Sequence, residues 1–238
     1  HYLLEAHAEE WLAALTPSIR RRPPSPSPPR QPIAARSPHA APNDGAPAEA
    51  EGGWPMGARD ARPRILAASQ TTLTHDYRAA SPLRALREAG LAHTLLFGSR
   101  EAGRVLWLSP EEIAALDPDF TYWNFIVDDL RLAEGLARCA RDFPSLPRIY
   151  GLDDRIGDLP NSHPLAGTFQ GPQLDRRVRE ALALCQRLVV STEPLAELYG
   201  PHVESVCIVP NRLEAALWRD ITAPSSSLNR RPRLRVGW

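Results

Sequence analysis

The sequence contains no lysine: all 28 basic residues are arginine, and 28 aspartates and glutamates bring the formal net charge to zero. A chain without net charge has no global field to steer it onto nucleic acid or an anionic membrane. With alanine and proline abundant, the arginine-only usage reads as compositional bias and not as a phosphate-binding signal. Cysteine is scarce. Cys139, Cys185 and Cys207 lie in separate apolar segments outside metal-ligand spacing. That is the pattern of buried free thiols in a reducing compartment, not of a disulfide framework. No apolar run approaches the ~20 residues of a membrane-spanning helix, and no signal-peptide pattern follows His1. The G-x-G-x-x-G, G-x-x-x-x-G-K and G-x-S-x-G patterns are all missing, as is a cluster of metal ligands. No metal, and no self-contained nucleotide site, is expected. The chain starts on histidine and stops in mid-pattern at Trp238, so it is expected to be a piece of something longer at both ends.

What is present falls into unequal parts. Residues 1–16 carry Tyr2, Leu3, Leu4, Trp11, Leu12 and Leu15 in a broken helical stripe, expected to be a helix stranded from a preceding unit. Residues 17–63 hold nearly half of the chain's 25 prolines among alanine, serine and arginine. Proline removes amide donors and favours extended backbone, and few large apolar residues remain to bury, so a disordered linker is expected.

Order is expected from Arg64. Ile65–Ser69 reads as a buried strand, followed by a polar loop over 70–78 and a helix over 81–90 with Pro82 in its first turn and Gly90 as its stop. Strands follow at 93–97 and 104–108. Ser109-Pro110-Glu111-Glu112 reads as a helix start, with serine as N-cap and acids in the first turn. A strand over 120–127 leads to a helix with Leu130, Ala133, Leu136, Ala137 and Ala140 on its buried face. A strand over 147–152, a helix over 174–185 and a strand over 188–190 come next. A short helix with Leu195, Leu198 and Tyr199 on one face then leads to a strand over 206–209. This alternation predicts an α/β fold: a Rossmann-like, mostly parallel sheet with helices on both faces, over 64–211.

In an open parallel sheet, ligands sit beyond the carboxyl ends of the strands, and that rule selects the candidates. Asp153 and Asp154 follow a buried strand directly; either could accept a proton or hold a hydroxyl, and either could simply cap a turn. His75 and Asp76, in the first loop, offer a base beside a carboxylate, or a solvated histidine. His163 stands in a later loop on the same edge. Ser191 and Thr192 precede a helix, with Thr192 suited to the N-cap, and the amides there could face an anion. Asn211 and Arg212 close the last strand.

Two of these segments carry a resemblance. Val189-Val190-Ser191-Thr192-Glu193-Pro194-Leu195 and Val209-Pro210-Asn211-Arg212-Leu213-Glu214 resemble the end of the N-terminal domain in bacterial GT-B-fold glycosyltransferases, in the subgroup found with O-antigen and other surface-polysaccharide proteins. Trp218, the stretch Arg235-Val236-Gly237-Trp238, and Tyr150–His163 with Leu152-Asp153-Asp154 and Leu159-Pro160 are similar to the same subgroup. The resemblance spans Arg64 to Trp238. It implies the acceptor half of a two-domain, cytoplasmic enzyme working at most against the inner face of the cytoplasmic membrane. An interdomain linker is implied over 212–232, and the first strand of a donor domain over 233–238. The nucleotide-sugar donor would bind the part beyond Trp238, so no cofactor is expected on this fragment, which would be inactive alone. The implied partners are a saccharide or lipid-linked acceptor and that missing domain. Asp154 and His75 are then the catalytic candidates, and Asp153, Asp76, His163, Ser191, Thr192, Asn211 and Arg212 the acceptor or cleft candidates. Two other readings stand beside it: a non-catalytic Rossmann-like binding or scaffold module, and a GT-B-fold nucleotide-sugar epimerase.

Overall fold

The computed structural model describes residues 7–16, 51–53, 59–69, 74–98, 107–126, 130–155 and 171–212. Six strands run parallel: β2 (Arg64–Ser69), β3 (His93–Gly98), β4 (Phe120–Asn124), β5 (Arg148–Leu152), β6 (Arg187–Val190) and β7 (Ser205–Ile208). A short β1 (Glu51–Gly53) adds antiparallel to β3, and the spatial order is β1-β3-β2-β4-β5-β6-β7. The expected mostly parallel α/β sheet is what forms. Strands β2, β4, β5 and β6 are buried along their whole length, which explains their near-continuous apolar runs.

The order reverses beside β2: the chain steps one way to β3, then crosses back to β4 and continues outward to β7. Right-handed crossovers in opposite directions fall on opposite faces. Thus α2 (Ser81–Glu88) lies on one face, while α4 (Leu130–Asp142), α5 (Gly171–Leu182) and α6 (Glu193–Tyr199) lie on the other. The α2 face over β4–β7 receives no crossover helix. It is covered by α1 (Ala8–Leu15), whose Trp11, Ala14 and Leu15 join Tyr122, Ile149, Val189 and Val209 in one buried cluster. The expectation of a stranded N-terminal helix is therefore corrected: this face needed a cover, and α1 supplies it.

Several boundaries also differ from the expected ones. Residues 51–53 and 59–62 fall inside the expected linker, yet the first form β1 and the second are tied to the sheet's amino end. Arg59 pairs with Asp117 and Asp119, and Asp60 with Arg62 and His93. The rest of 17–58 lies outside the described residues. Trp107 and Leu108 join no strand; Trp107 packs on Trp123 at 4.3 Å between ring centroids, and on Gly135, where a Cβ would sit 2.7 Å from its ring. That close approach helps turn α4 so that Leu132, Gly135, Leu136 and Cys139 are buried, while Ala137, expected inside, is exposed. Ser109 behaves as the sequence says. At the start of α3 (Pro110–Leu116) its hydroxyl accepts from the Glu112 amide, and the Glu112 carboxylate accepts from the Ser109 amide.

The helix before β3 starts earlier than Pro82 suggests. Thr74 and His75 are already helical, and a π turn over Asp76–Ala80 runs into α2. Proline at position 82 has no amide to give to the carbonyl of Arg78 and its ring crowds that oxygen. The π turn absorbs the misfit, the Ser81 amide reaching back five residues to Asp76. The freed Arg78 carbonyl accepts instead from the Tyr122 hydroxyl at 3.0 Å. Gly90, at φ +68, ends the helix where the left-handed region is needed.

Candidate functional site

At the carboxyl edge of the sheet, the switch point between β2 and β4 is closed by a direct bond. Asn124, the last residue of β4, donates from Nδ2 to Ser69 Oγ, the last of β2, at 3.0 Å, and both are fully buried. Phe125 follows at φ +50, a conformation that costs an aromatic residue about 1 kcal/mol or more. It is held by its own amide on Gly151 O (3.1 Å) and by the Tyr150 hydroxyl, which accepts from the Ile126 amide (3.3 Å).

The most chemically loaded group lies one strand further along. Asp153 continues directly from β5 and is 6 % exposed. Its Oδ2 accepts from the Tyr77 hydroxyl at 2.7 Å, while its Oδ1 is buried with no hydrogen-bond partner among the described residues. Its main chain is fixed as well, because Ser191 Oγ donates to the Asp153 carbonyl at 3.0 Å. Burial pushes the Asp153 carboxyl above its ordinary range; the Tyr77 hydrogen bond and the Arg78 charge oppose that push, and the Asp154 charge adds to it. Tyr77 is raised too, by its own burial first and then by its bond to Asp153, so it is a proton donor in the hydrogen bond and not a phenolate.

Asp153 and Asp154 border an open groove of about 610 Å³ between the end of β5 and α6. Arg155, Thr192 and Glu197 supply the other polar groups, and Pro194, Leu195 and Leu198 the apolar wall. Among the described residues three carboxylates stand against one guanidinium, a balance that disfavours a phosphate and suits hydroxyl groups lying on an apolar face.

The sequence candidates separate under this geometry. Asp153, Asp154 and Thr192 are brought together at the groove, with Ser191 tied to the Asp153 main chain behind them. Thr192 has N-cap backbone geometry but makes no side-chain cap bond, so its hydroxyl remains at the groove wall. His75 is not the solvated loop residue of one reading, being 3 % exposed on a helix. Asp76, the partner of the other reading, is the next residue along. Consecutive helical positions diverge by about 100°, and Asp76 is exposed while His75 faces inward. Asn211 and Arg212 are engaged structurally: Asn211 Oδ1 accepts from Arg78 at 3.2 Å, and Arg212 reaches Glu10 of α1 at 3.5 Å. His163 lies outside the described residues, as do the expected linker over 212–232 beyond its first residue and the expected strand over 233–238. Tyr77 was missed. Its tie to Asp153 joins positions 76 residues apart, and no local pattern announces such a pair.

Just behind Tyr77, Arg78 is fully buried. It donates to the Val209 carbonyl at 2.7 Å, sits 3.5 Å from Val189 O, and stacks over the Trp11 ring at 5.0 Å. One helical turn therefore carries two consecutive residues with different tasks: Arg78 fastens the ends of β6 and β7 under α1, and Tyr77 reaches the groove. Among the described residues no group of three or more His, Cys, Asp or Glu side chains is placed to hold a metal ion, and no helix is long and apolar enough to cross a membrane.

No protein-family model matches the chain, and no curated protein sequence matches it. Among solved structures it is similar to Glycyrrhiza uralensis UGT73P12, crystallised with glycyrrhetinic acid 3-O-monoglucuronide, at 9 % identity and a TM-score of 0.37. The likeness covers 68 % of this chain and 51 % of that one, so the chain spans about half the length of that protein. At this level the likeness carries no weight of its own, and the Rossmann-like α/β assignment rests on the strand order and crossovers above.

Proposed function

We propose that this chain is the acceptor-side half of a glycosyltransferase. The complete enzyme would move a sugar from a nucleotide-sugar donor to a saccharide or lipid-linked acceptor in bacterial cell-surface polysaccharide assembly of the O-antigen type, in the cytoplasm or at the inner face of the cytoplasmic membrane. The observation that carries this reading is Asp153: a buried carboxylate at the carboxyl end of a parallel strand, with one oxygen held and the other without a partner among the described residues, beside a groove suited to hydroxyls. The residue resemblance at Val189–Leu195 and Val209–Glu214 points the same way. Asp153 takes the proton-accepting role that the sequence offered to Asp154 and His75, because it alone of the three is both held and adjacent to the groove. Asp154 and Thr192 then bind acceptor hydroxyls at the lip, with Ser191 fixing the Asp153 main chain. Such an acid–base group contributes ~10²–10⁴-fold to a transfer step. The donor would be held by a second domain following Trp238.

The test compares this chain with the polypeptide extended past Trp238. The extended form is expected to bind nucleotide sugars and to transfer or hydrolyse them, and the 1–238 chain to do neither. Comparable nucleotide-sugar affinity in both forms overturns the division into acceptor and donor halves. Full transfer activity after Asp153→Asn in the extended form removes Asp153 from the mechanism.

A further inference from the structure

We infer that Tyr77 is the positioning residue of this site: its hydroxyl bonds Oδ2 of Asp153 and fixes the carboxylate so that Oδ1 is the oxygen left without a protein partner among the described residues. The role of Oδ1 toward a ligand hydroxyl rests on the function proposed above; the pairing of the two side chains does not.

The argument is geometric. A free carboxylate rotates about χ2 and presents either oxygen, whereas Asp153 is held from two directions. Tyr77 arrives from the π turn that Pro82 forces, on the far side of the sheet edge, and bonds Oδ2 at 2.7 Å. Ser191 arrives from the end of β6 and bonds the Asp153 carbonyl at 3.0 Å. Neither bond uses Oδ1, which is buried without a partner among the described residues. Leaving one acceptor of a buried carboxylate unpaired costs free energy, and orphaned groups of this kind call for an explanation such as a ligand or a water. The phenol also favours the ionised form of the acid, because its hydrogen bond is stronger to a carboxylate than to a carboxylic acid. The other charges facing Asp153 are Arg78, adjacent to Tyr77 on the same turn, and Asp154 on its own loop; Arg155 and, from α6, Glu197 line the same groove. Arg78 spends its guanidinium on the Val209 carbonyl and on Asn211, and the hydroxyl seated on Oδ2 is that of Tyr77, so its removal is expected to release the rotamer.

The experiment follows the side-chain carboxyl carbon of Asp153 by ¹³C NMR through an acid titration, in the 1–238 chain without any ligand. The resonance is assigned by its loss in Asp153→Asn. With Tyr77→Phe, the expected result is tighter proton binding by Asp153, by about tenfold or more in proton affinity, with the near-ultraviolet circular dichroism of the fold retained. Replacing Tyr77 by 3,5-difluorotyrosine keeps the ring and makes the hydroxyl a stronger donor, so the titration is expected to move the opposite way. An Asp153 titration unchanged in both variants, even with a loss of stability, means that Tyr77 only packs, and overturns the inference. If Tyr77→Phe does not fold, the difluorotyrosine form decides alone. A failure of the transferase reading leaves this titration untouched, and an unchanged titration leaves the transferase reading standing without Tyr77.

Discussion

The two faces of the sheet are covered by different means. On one, α4, α5 and α6 are the crossovers between neighbouring strands, so building the sheet also covers it. Their cluster is held by side chains such as Leu132, Leu136, Leu174, Leu182 and Tyr199, packed on Trp123, Tyr150 and Leu188. On the other face α2 covers the β2–β3 side, and the remainder is closed by α1, which sits about as far from β6 in sequence as the chain allows. There the apolar contacts are supplemented by buried guanidinium groups. Arg187 donates to the Ala14 carbonyl at 3.0 Å across 173 residues, and Arg78 stacks on Trp11 while bonding the carbonyl of Val209. The crossover face has a buried guanidinium of its own, since Arg148 donates to the carbonyls of Phe143, Leu146 and Leu184. Its ties join neighbouring crossovers, whereas those of Arg78 and Arg187 span 131 and 173 residues.

Arg78→Ala gives the largest expected effect on this contrast. It removes a charge-assisted hydrogen bond to a buried carbonyl, the stacking partner of Trp11 and the volume of a fully buried side chain. The expected loss is about 3–5 kcal/mol, read from urea unfolding. A loss under about 1 kcal/mol would mean that burying the guanidinium costs nearly what its bonds return, and the two faces would then be held alike.

A paired substitution sharpens the same point at somewhat smaller size. Trp11→Ala and Leu136→Ala each remove a buried apolar side chain, for about 2–4 kcal/mol apiece. Their distribution is expected to differ. Because α1 has only eight residues and cannot persist as an isolated helix, Trp11→Ala should expose α1 amides to hydrogen exchange while those of α4 and β4 stay protected. Leu136→Ala should lower protection through the whole sheet. Equal loss everywhere in both variants would make α1 a full member of the cooperative core.

The contrast also marks what could be read in advance. The crossover face was legible, because each helix sits between two strands and its signals are local. Ser109 and Glu112 form the reciprocal cap that their spacing announces, and Leu195 and Tyr199 turn inward as their spacing requires. The register of α4 was less so, since Gly135 matters only once Trp107 is known to lie on it. The non-local face was not legible: nothing in residues 8–15 says which surface they meet, and Pro82 resembles a helix start until Tyr122 is seen taking up the carbonyl that it strands. The site divides similarly. Asp153, Asp154, Ser191 and Thr192 follow from their places at strand ends, whereas Tyr77 depends on the π turn.

The smallest expected effect lies where the two faces meet, at the rim spanned by Tyr77 and Asp153. Burial raises the Asp153 acid group above its ordinary value of 3.8 in spite of Tyr77 and Arg78. A carboxyl whose folded pKa exceeds its unfolded one binds its proton more tightly in the native state. Its contribution to stability is therefore complete below the unfolded value and is lost as pH rises through the folded value. At neutral pH the ionised Asp153 is a net burden on the fold. Asp153→Asn should then be more stable than the parent at neutral pH, and the advantage should shrink as the medium is acidified, closing below about pH 3, where the parent is protonated in both states. Chemical denaturation of the two proteins across this range measures it. A parent more stable than Asp153→Asn at neutral pH would mean that the Tyr77 bond outweighs burial, so that the helix on one face holds the carboxylate of the other more firmly than burial strains it.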